Sequence, residues 1–202
     1  MKLLLENWRQ YVLFENIETA SRLSIFDFDE TIAFTEGHIN VINKITDEEF
    51  KITSQEEYDN LKDSGKYEFD FSPLDDVNNA TENPNVTRIL RNRLQDNKTQ
   101  VMVLTARGPV SVDDIHRTLQ MFDSPIDTSN IIIIGVEGAN KGEYLRDVIL
   151  PRYENIKDVE FYDDSEQNMS DMKKIKDELI SSEILNKLHL YFVKDGIPNK
   201  EN

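Results

Sequence analysis

Two carboxylates spaced two residues apart follow a short apolar run near the start of the chain, in the sequence Asp27-Phe28-Asp29-Glu30-Thr31. On a buried strand both acids would face the same side, which costs free energy unless a cation lies between them. If the strand ends at Asp27, both acids can instead converge on one metal ion and one substrate. Mg²⁺ suits such a site because it prefers oxygen ligands and keeps several waters. The alternative is a purely structural turn in which Asp29 and Thr31 cap a helix.

Three further groups of polar residues lie at or just beyond the ends of predicted strands. They are the segment 105–107, which reads Thr-Ala-Arg, then Lys141 behind a glycine-bearing loop, and the pair Asp163 and Asp164. In open parallel α/β sheets, ligands bind in the crevice outside the carboxyl ends of the strands. A lysine near a helix start is electrostatically unfavourable, which favours a functional role for Lys141. The sequence therefore predicts that these groups meet the first pair of acids in one site.

The set of residues resembles the motifs of the haloacid dehalogenase (HAD) superfamily of phosphotransferases. In order along the chain, the four motifs are Asp27-x-Asp29-x-Thr31, Thr105, Lys141 and Asp163-Asp164. The Thr105-x-Arg107 form of the second motif is similar to that of polynucleotide 3′-phosphatase domains and of some nucleotidases. Glu30 departs from the pattern, because most members carry glycine there. The carboxy-terminal-domain phosphatases of the superfamily also carry Glu, so this departure does not argue against catalysis.

The resemblance implies a Mg²⁺-dependent phosphomonoesterase that works through an aspartyl-phosphate. Asp27 would be the nucleophile, and Asp29 would protonate the leaving oxygen and then deprotonate the attacking water. The implied magnesium ligands are Asp27, the backbone carbonyl of Asp29, and Asp163. Asp164 would act through a water or by orienting Lys141.

Other residues of the motifs are expected to bind the phosphoryl group of the substrate. Thr105 would donate a hydrogen bond to it, and Lys141 would neutralise its oxygens. Thr31 and Ala106 complete the expected substrate-binding set with Arg107. The planar guanidinium of Arg107 suits a second phosphate clamp, and the alternative for it is a surface salt bridge.

Length and charge limit the domain count and the choice of substrate. The 202 residues suit one domain with a single substantial core. With 39 acidic and 23 basic residues the net charge is −16, which disfavours non-specific binding to duplex nucleic acid. A local cationic pocket still allows a nucleotide or a strand end. We therefore expect a phosphorylated small molecule or a nucleic-acid terminus as the binding partner.

The opening of the chain is not expected to act as a targeting signal. Met1 to Leu5 is apolar apart from Lys2, but Glu6 and Asn7 interrupt this run too early for a signal peptide. No apolar run is long enough to span a bilayer. We therefore expect a cytoplasmic protein without membrane association. The opening also resembles those of tailed-phage proteins, for which the compartment would be the host cytoplasm.

The alternation of strand and helix patterns predicts an α/β fold. The expected architecture is a HAD-like, doubly wound parallel sheet of the Rossmann-like kind. The predicted strands are 23–26, 101–104, 131–134, 159–162 and 188–193, and the predicted helices are 86–94, 111–121, 142–150 and 165–179.

The N-terminal segment precedes the first core strand. Apolar residues at helical spacing predict an amphipathic helix over residues 1–20, which either packs on the domain or docks a protein partner. The phosphatase domain would then span residues 21–202. The alternative to an enzyme is a catalytically inactive HAD-fold binding protein that recruits a partner through this helix.

Residues 34–71 are expected to form an insert after the first strand. Short strands are predicted at 38–42 and 49–53, followed by a helix whose start carries a capping box of Ser54 and Glu57. The insert is too short for a large independent cap domain. We interpret it as a small flap over an otherwise open site.

Overall fold

The computed structural model describes residues 20–53, 55–70, 72–75, 77 and 79–201. Nearly all of the predicted N-terminal helix, residues 1–19, lies outside the described residues, as does Ser54 of the predicted capping box. In the described part, no helix is long and apolar enough to cross a membrane.

Strands and helices alternate along most of the described chain. The strands are β1 Arg22–Phe26, β2 Ala33–Phe34, β3 Ile39–Asn43, β4 Glu49–Ile52, β5 Tyr67–Asp70, β6 Thr81–Glu82, β7 Thr99–Thr105, β8 Ile131–Gly135, β9 Asp158–Asp163, β10 Lys187–Lys194 and β11 Ile197–Lys200. The α-helices are α1 Gln55–Lys62, α2 Pro84–Leu94, α3 Val112–Met121, α4 Lys141–Tyr144 and α5 Glu166–Ser181. Single turns of 3₁₀-helix occur at Ser72–Asp75, Pro109–Ser111 and Leu150–Arg152, and a π-helical turn occurs at Leu145–Ile149.

A six-stranded sheet forms the centre of the molecule, in the order β11-β10-β9-β1-β7-β8. Five of these strands are parallel, and β11 pairs antiparallel with β10 at one edge. The prediction of a mixed α/β fold with a mainly parallel sheet is therefore confirmed. Because Phe26 lies opposite Val103 of β7 and Tyr162 of β9, the residues that follow these strands meet at one edge of the sheet.

Helices cover both faces of the sheet. Leu23 and Ile25 of β1 pack with α5 residues such as Met172, whereas Phe26 packs with Val86 and Leu90 of α2 on the other face. Strands buried on both sides are expected to be almost continuously apolar, as β1, β7 and β8 are.

Three aromatic rings lie side by side on the face of the sheet that packs against α2. Phe26, Tyr162 and Tyr191 occupy paired positions on β1, β9 and β10. Their ring centroids are 4.6 Å and 4.4 Å apart, with interplanar angles of 10° and 6°. Stacking of large rings adds to the free energy gained by burying them, so this row fixes the register of the strands that lead to the site.

The sequence patterns missed the hairpin at the end of the chain. Asp195 and Gly196 have φ values of 51° and 73° and join β10 to β11 in a tight turn. Asp-Gly is a strong signal for such a turn, but Pro198 made a strand difficult to predict. Pro198 is accommodated because β11 is an edge strand. A continuous helix was predicted over 142–150. The structure instead has α4, then a π-helical turn and then a 3₁₀ turn that contains Pro151.

The insert contains one strand more than the two that were predicted. β3 is the central strand, and β4 and β5 pair antiparallel on either side of it. Val41 of β3 and Ile52 of β4 are buried. A three-stranded sheet with buried apolar residues is more stable than the isolated hairpin that the sequence suggested.

The loops that follow β7 and β8 are joined by backbone hydrogen bonds. The amides of Val136 and Gly138 donate to the carbonyls of Thr105 and Ala106 at 3.0 Å and 2.9 Å. Gly135 makes this approach possible, because an added Cβ there would lie 2.6 Å from the carbonyl oxygen of Gly108. The segment 105–107 is therefore positioned by the neighbouring loop.

Gly135→Ala should destabilise the protein more than Gly138→Ala. At Gly135 the new methyl group meets main-chain atoms, and such overpacking costs about 1–3 kcal/mol. At Gly138 there is open space but φ is 73°, where alanine costs roughly 1 kcal/mol through backbone strain alone. Urea unfolding of the two variants measures the difference. Equal losses of unfolding free energy would show that the two loops are not in close contact.

Candidate functional site

Lys141 lies at the centre of the candidate site and is 1% exposed. Its Nζ lies 2.7 Å from Oδ1 of Asp27 and 2.8 Å from Oδ2 of Asp163. Asn140 places it at the start of α4, because its Oδ1 accepts a hydrogen bond from the backbone amide of Glu143. Although burial lowers the pKa of Lys141, the charges of Asp163 and Asp27 outweigh that effect and raise the pKa above its ordinary value. The lysine is therefore a permanent cation between β1 and β9.

Asp163 is fully buried at the end of β9 and is held on both oxygens. Its Oδ1 accepts from the backbone amide of Ser165 at 2.9 Å. The Asn168 side-chain amide contacts Oδ1 at 3.0 Å and Oδ2 at 3.1 Å. Asn168 was not recognised from the sequence. Its place in the first turn of the helix that follows the acidic pair was the available signal.

Asp27, Asp163 and Asp164 form an acidic cluster in which one ligand oxygen from each lies within 4.8 Å of the others. Burial raises the pKa of Asp27 well above its ordinary value despite the charge of Lys141, and the carboxylates of Asp163 and Asp164 raise it further. Burial and the Asp163 carboxylate raise the pKa of Asp164 to about 7. Because three carboxyl groups share one ammonium group, the full ionisation of the cluster would leave a net negative charge.

The acidic cluster fits a hard divalent cation. Carboxylate oxygens are the ligands that Mg²⁺ prefers. Although Oδ1 of Asp27 is close to Lys141, this buried atom has no partner with hydrogen-bond geometry among the described residues. A bound cation would satisfy that oxygen and would offset the excess negative charge.

Thr31 joins the turn after β1 to the acidic cluster. The amides of Ile32 and Ala33 donate to the carbonyl of Phe28, which turns the chain back directly after the strand. Thr31 is buried there, and its hydroxyl donates to Oδ1 of Asp164 at 3.2 Å. The hydroxyl therefore orients Asp164. The predicted role of Thr31 in substrate binding stays a prediction.

Asp29 is held apart from the acidic cluster by Arg107. Nε and Nη2 of Arg107 contact Oδ2 and Oδ1 of Asp29 at 2.8 Å and 2.6 Å, a bidentate pair. The hydroxyl of Thr35 donates to Oδ1 of Asp29 at 2.7 Å. Arg107 is 5% exposed, whereas the Asp29 side chain is 32% exposed, so the salt bridge is partly buried. The predicted role of Arg107 as a phosphate clamp stays a prediction. Neither this pairing of Asp29 with Arg107 nor the contact of Thr35 with Asp29 was predicted from the sequence.

Thr105 and Ala106 lie at the carboxyl end of β7, next to β1. Thr105 is buried, and its hydroxyl accepts from the backbone amide of Arg107 at 3.2 Å. Ala106 is exposed. The predicted contacts of these two residues with a phosphoryl group stay predictions.

A cavity of about 290 Å³ opens beside Asp164. It lies between the turn that follows β1 and the hairpin of β10 and β11. Glu30 and Phe34 line one side, and Phe192, Lys194 and Gly196 line the other. The cavity therefore adjoins the acidic cluster without being part of it.

Mg²⁺ should stabilise the protein more at pH 8 than at pH 6. The cation must displace the proton from Asp164, whose pKa is about 7, and also the proton of Asp27, whose pKa is raised. Above pH 7 the unbound cluster is more fully ionised and repels itself, so a cation restores more stability there. Thermal unfolding with and without Mg²⁺ at both pH values measures this. Asp164→Asn should reduce the pH dependence, whereas the control Asp171→Asn should retain it.

Comparisons of the chain with protein-family models, with curated proteins and with solved structures find no match. The four motifs therefore remain the basis of the resemblance to the HAD superfamily. The geometry adds that residues from three of these motifs meet around the acidic cluster, at the carboxyl edge of a mainly parallel sheet.

Proposed function

We propose that the protein is a Mg²⁺-dependent phosphomonoesterase of the HAD type that works through an aspartyl-phosphate. The observation that carries the proposal is the grouping of Asp27, Asp163 and Asp164 around a buried lysine, Lys141. Its substrate is a phosphorylated small molecule or a nucleic-acid terminus. In this proposal the three-stranded sheet of β3, β4 and β5 is the flap that selects the substrate.

The cation would be held by Asp27, Asp163, Asp164 and the backbone carbonyl of Asp29. When bound it keeps Asp27 ionised and offsets the repulsion between this carboxylate and the phosphate dianion. Lys141 supplies fixed positive charge beside the same oxygens, and Thr105 donates a hydrogen bond to the phosphoryl group. Asp27, Thr105, Lys141 and Asp163 are buried, which strengthens their electrostatic effect, and Asp164 is half-buried.

In the first step an oxygen of Asp27 forms a bond to phosphorus while the bond from phosphorus to the leaving oxygen breaks. Asp29 gives its proton to that oxygen. In the second step a water attacks the aspartyl-phosphate, Asp29 accepts its proton, and the bond between Asp27 and phosphorus breaks. Inorganic phosphate leaves, and both acids return to their starting states.

Before substrate binds, the carboxylate of Asp29 is paired with the guanidinium of Arg107. In this pair both oxygens of Asp29 accept hydrogen bonds, so the carboxylate cannot donate a proton. The phosphate dianion of the substrate can take over the guanidinium of Arg107, because the same planar fork fits phosphate. Asp29 is then free to take up a proton from solvent and to turn towards the leaving oxygen. It returns this proton to solvent when it pairs with Arg107 again after turnover.

The same pair supports a second candidate function. A catalytically inactive HAD-fold binding protein would have no need to release Asp29, and this partly buried bidentate pair would then be a permanent structural contact. Such a protein would recruit its partner through the N-terminal helix predicted for residues 1–20. Absence of phosphate release from every phosphomonoester tested would favour it.

Asp27→Asn should reduce metal-dependent phosphate release to background while the fold is retained. An amide is nearly isosteric with the carboxylate but cannot form the acyl phosphate. Phosphate release from a small aryl phosphate measures the effect, and circular dichroism checks the fold. Asp171→Asn is the matched control, because Asp171 is also buried and ion-paired but belongs to the Lys174 contact. Activity of Asp27→Asn within about tenfold of the parent would exclude Asp27 as nucleophile.

Asp29→Asn should slow turnover by about 10²–10⁴-fold, the usual contribution of a positioned acid and base. Its Mg²⁺ affinity, measured by calorimetry, should be unchanged, because the proposed ligand is the backbone carbonyl. Thr35→Val is the control, since it removes a hydrogen bond to Asp29 but leaves the carboxylate in place. Loss of Mg²⁺ affinity in Asp29→Asn would instead make the side chain a metal ligand.

A further inference from the structure

The cavity beside Asp164 has the position of a leaving-group pocket. Its volume of about 290 Å³ lies near the lower end of the range for small-molecule sites. Asp164 belongs to both the cavity wall and the acidic cluster. Asp164 therefore links the acidic cluster to the cavity, and we expect a substrate whose phosphoryl group lies at Asp27 to extend towards it.

An exposed aromatic ring forms part of the cavity wall. Phe34 is 38% exposed, although its backbone is fixed by pairing of β2 with β6. The tip of its ring lies against the turn of β10 and β11, because a Cβ added at Gly196 would be 2.9 Å from its Cζ. Asn85 of α2 holds the same turn by donating to the carbonyl of Gly196 at 3.3 Å. The ring is therefore supported in place while part of it faces solvent.

Charge limits what the cavity accepts. Glu30 and Asp195 line it with carboxylates that are not part of the proposed metal site, and Lys194 is the single basic residue in the lining. A leaving group with a second phosphate or a carboxylate would be repelled. An uncharged group with an aromatic face and hydrogen-bond donors would be favoured, because carboxylates accept from hydroxyl and amino groups.

We infer that this cavity receives the nucleoside of a mononucleotide, with the base stacked on Phe34. The inference rests on the proposed function for the position of the phosphate, and it narrows the substrate to nucleoside monophosphates. Sugar phosphates lack the aromatic group, and polynucleotide ends carry further phosphates that the acidic lining repels. Phe192 provides a second aromatic side chain in the lining, on the other side of the cavity.

Binding to Asp27→Asn, in the presence of Mg²⁺, tests the cavity without turnover. Calorimetry compares a purine nucleoside 5′-monophosphate with ribose 5-phosphate, which has the same sugar and phosphate but no base. The nucleotide should bind about 5- to 150-fold more tightly, which is the affinity that stacking of one base on an aromatic side chain contributes. A 5′-phosphorylated dinucleotide should bind more weakly than the mononucleotide.

Two substitutions of Phe34, each combined with Asp27→Asn, test whether the base stacks on this ring. Phe34→Leu keeps an apolar side chain but removes the aromatic face, so it should abolish the preference for the nucleotide over ribose 5-phosphate. Phe34→Trp should retain that preference. Ile180→Ala is the control, because Ile180 is similarly exposed, at 37%, but lies in the last turn of α5, away from the carboxyl edge of the sheet.

Equal affinities for the nucleotide and ribose 5-phosphate, or an unchanged preference in Phe34→Leu, would overturn the inference. Phosphate release by the parent protein separates it from the proposed function. If the protein prefers nucleotides but releases phosphate from no phosphomonoester, the proposed phosphatase activity is rejected and the nucleoside pocket is supported. If the protein releases phosphate but binds substrates with and without a base equally well, the phosphatase activity is supported and the nucleoside pocket is rejected.

Discussion

The arrangement of the site depends on one buried ammonium group placed between two carboxylates. Lys141 joins the end of β1, the end of β9 and the start of α4 through contacts of 2.7 Å and 2.8 Å. Removing one partner of such a buried pair typically costs about 3–5 kcal/mol, because an uncompensated charge remains. The stacked rings of β1, β9 and β10 hold the strand ends in register beneath it. The fold and the chemistry therefore share one set of contacts.

A second buried acid shows that burial alone does not produce a ligand site. Glu160 accepts from the hydroxyl of Ser24 and from Arg93, which contacts both of its oxygens. Its hydrogen bonds are complete, and its charge is balanced by a single arginine. The acidic cluster differs because three carboxylates share one lysine and because Arg107 already pairs with Asp29. What distinguishes the cluster is its excess of carboxylates, which raises the pKa values of Asp27 and Asp164 and which either protons or a cation would offset.

The sequence predicted the parallel strands and the meeting of Asp27, Lys141 and the Asp163–Asp164 pair, because apolar runs locate strands and polar residues at their ends locate the crevice. It did not predict the contact of Asp29 with Arg107. These residues are 78 positions apart, and their meeting depends on how two loops are placed after folding. The same holds for the wall formed by Phe34 and Gly196. Local patterns carry information on elements and their order, whereas contacts between loops depend on packing.

Glu30 adopts a φ of 54°, in the region where an L-residue other than glycine costs roughly 1–2 kcal/mol. Its carboxylate partly offsets this cost by accepting from the backbone amide of Thr35 at 3.2 Å, and it also lines the cavity. Glycine at this position would relax the backbone but would delete one of the acids that exclude a second phosphate. If the cavity holds a nucleoside, the chain keeps a conformationally costly residue for the sake of substrate discrimination. Position 30 is then a point at which thermostability and selectivity oppose each other.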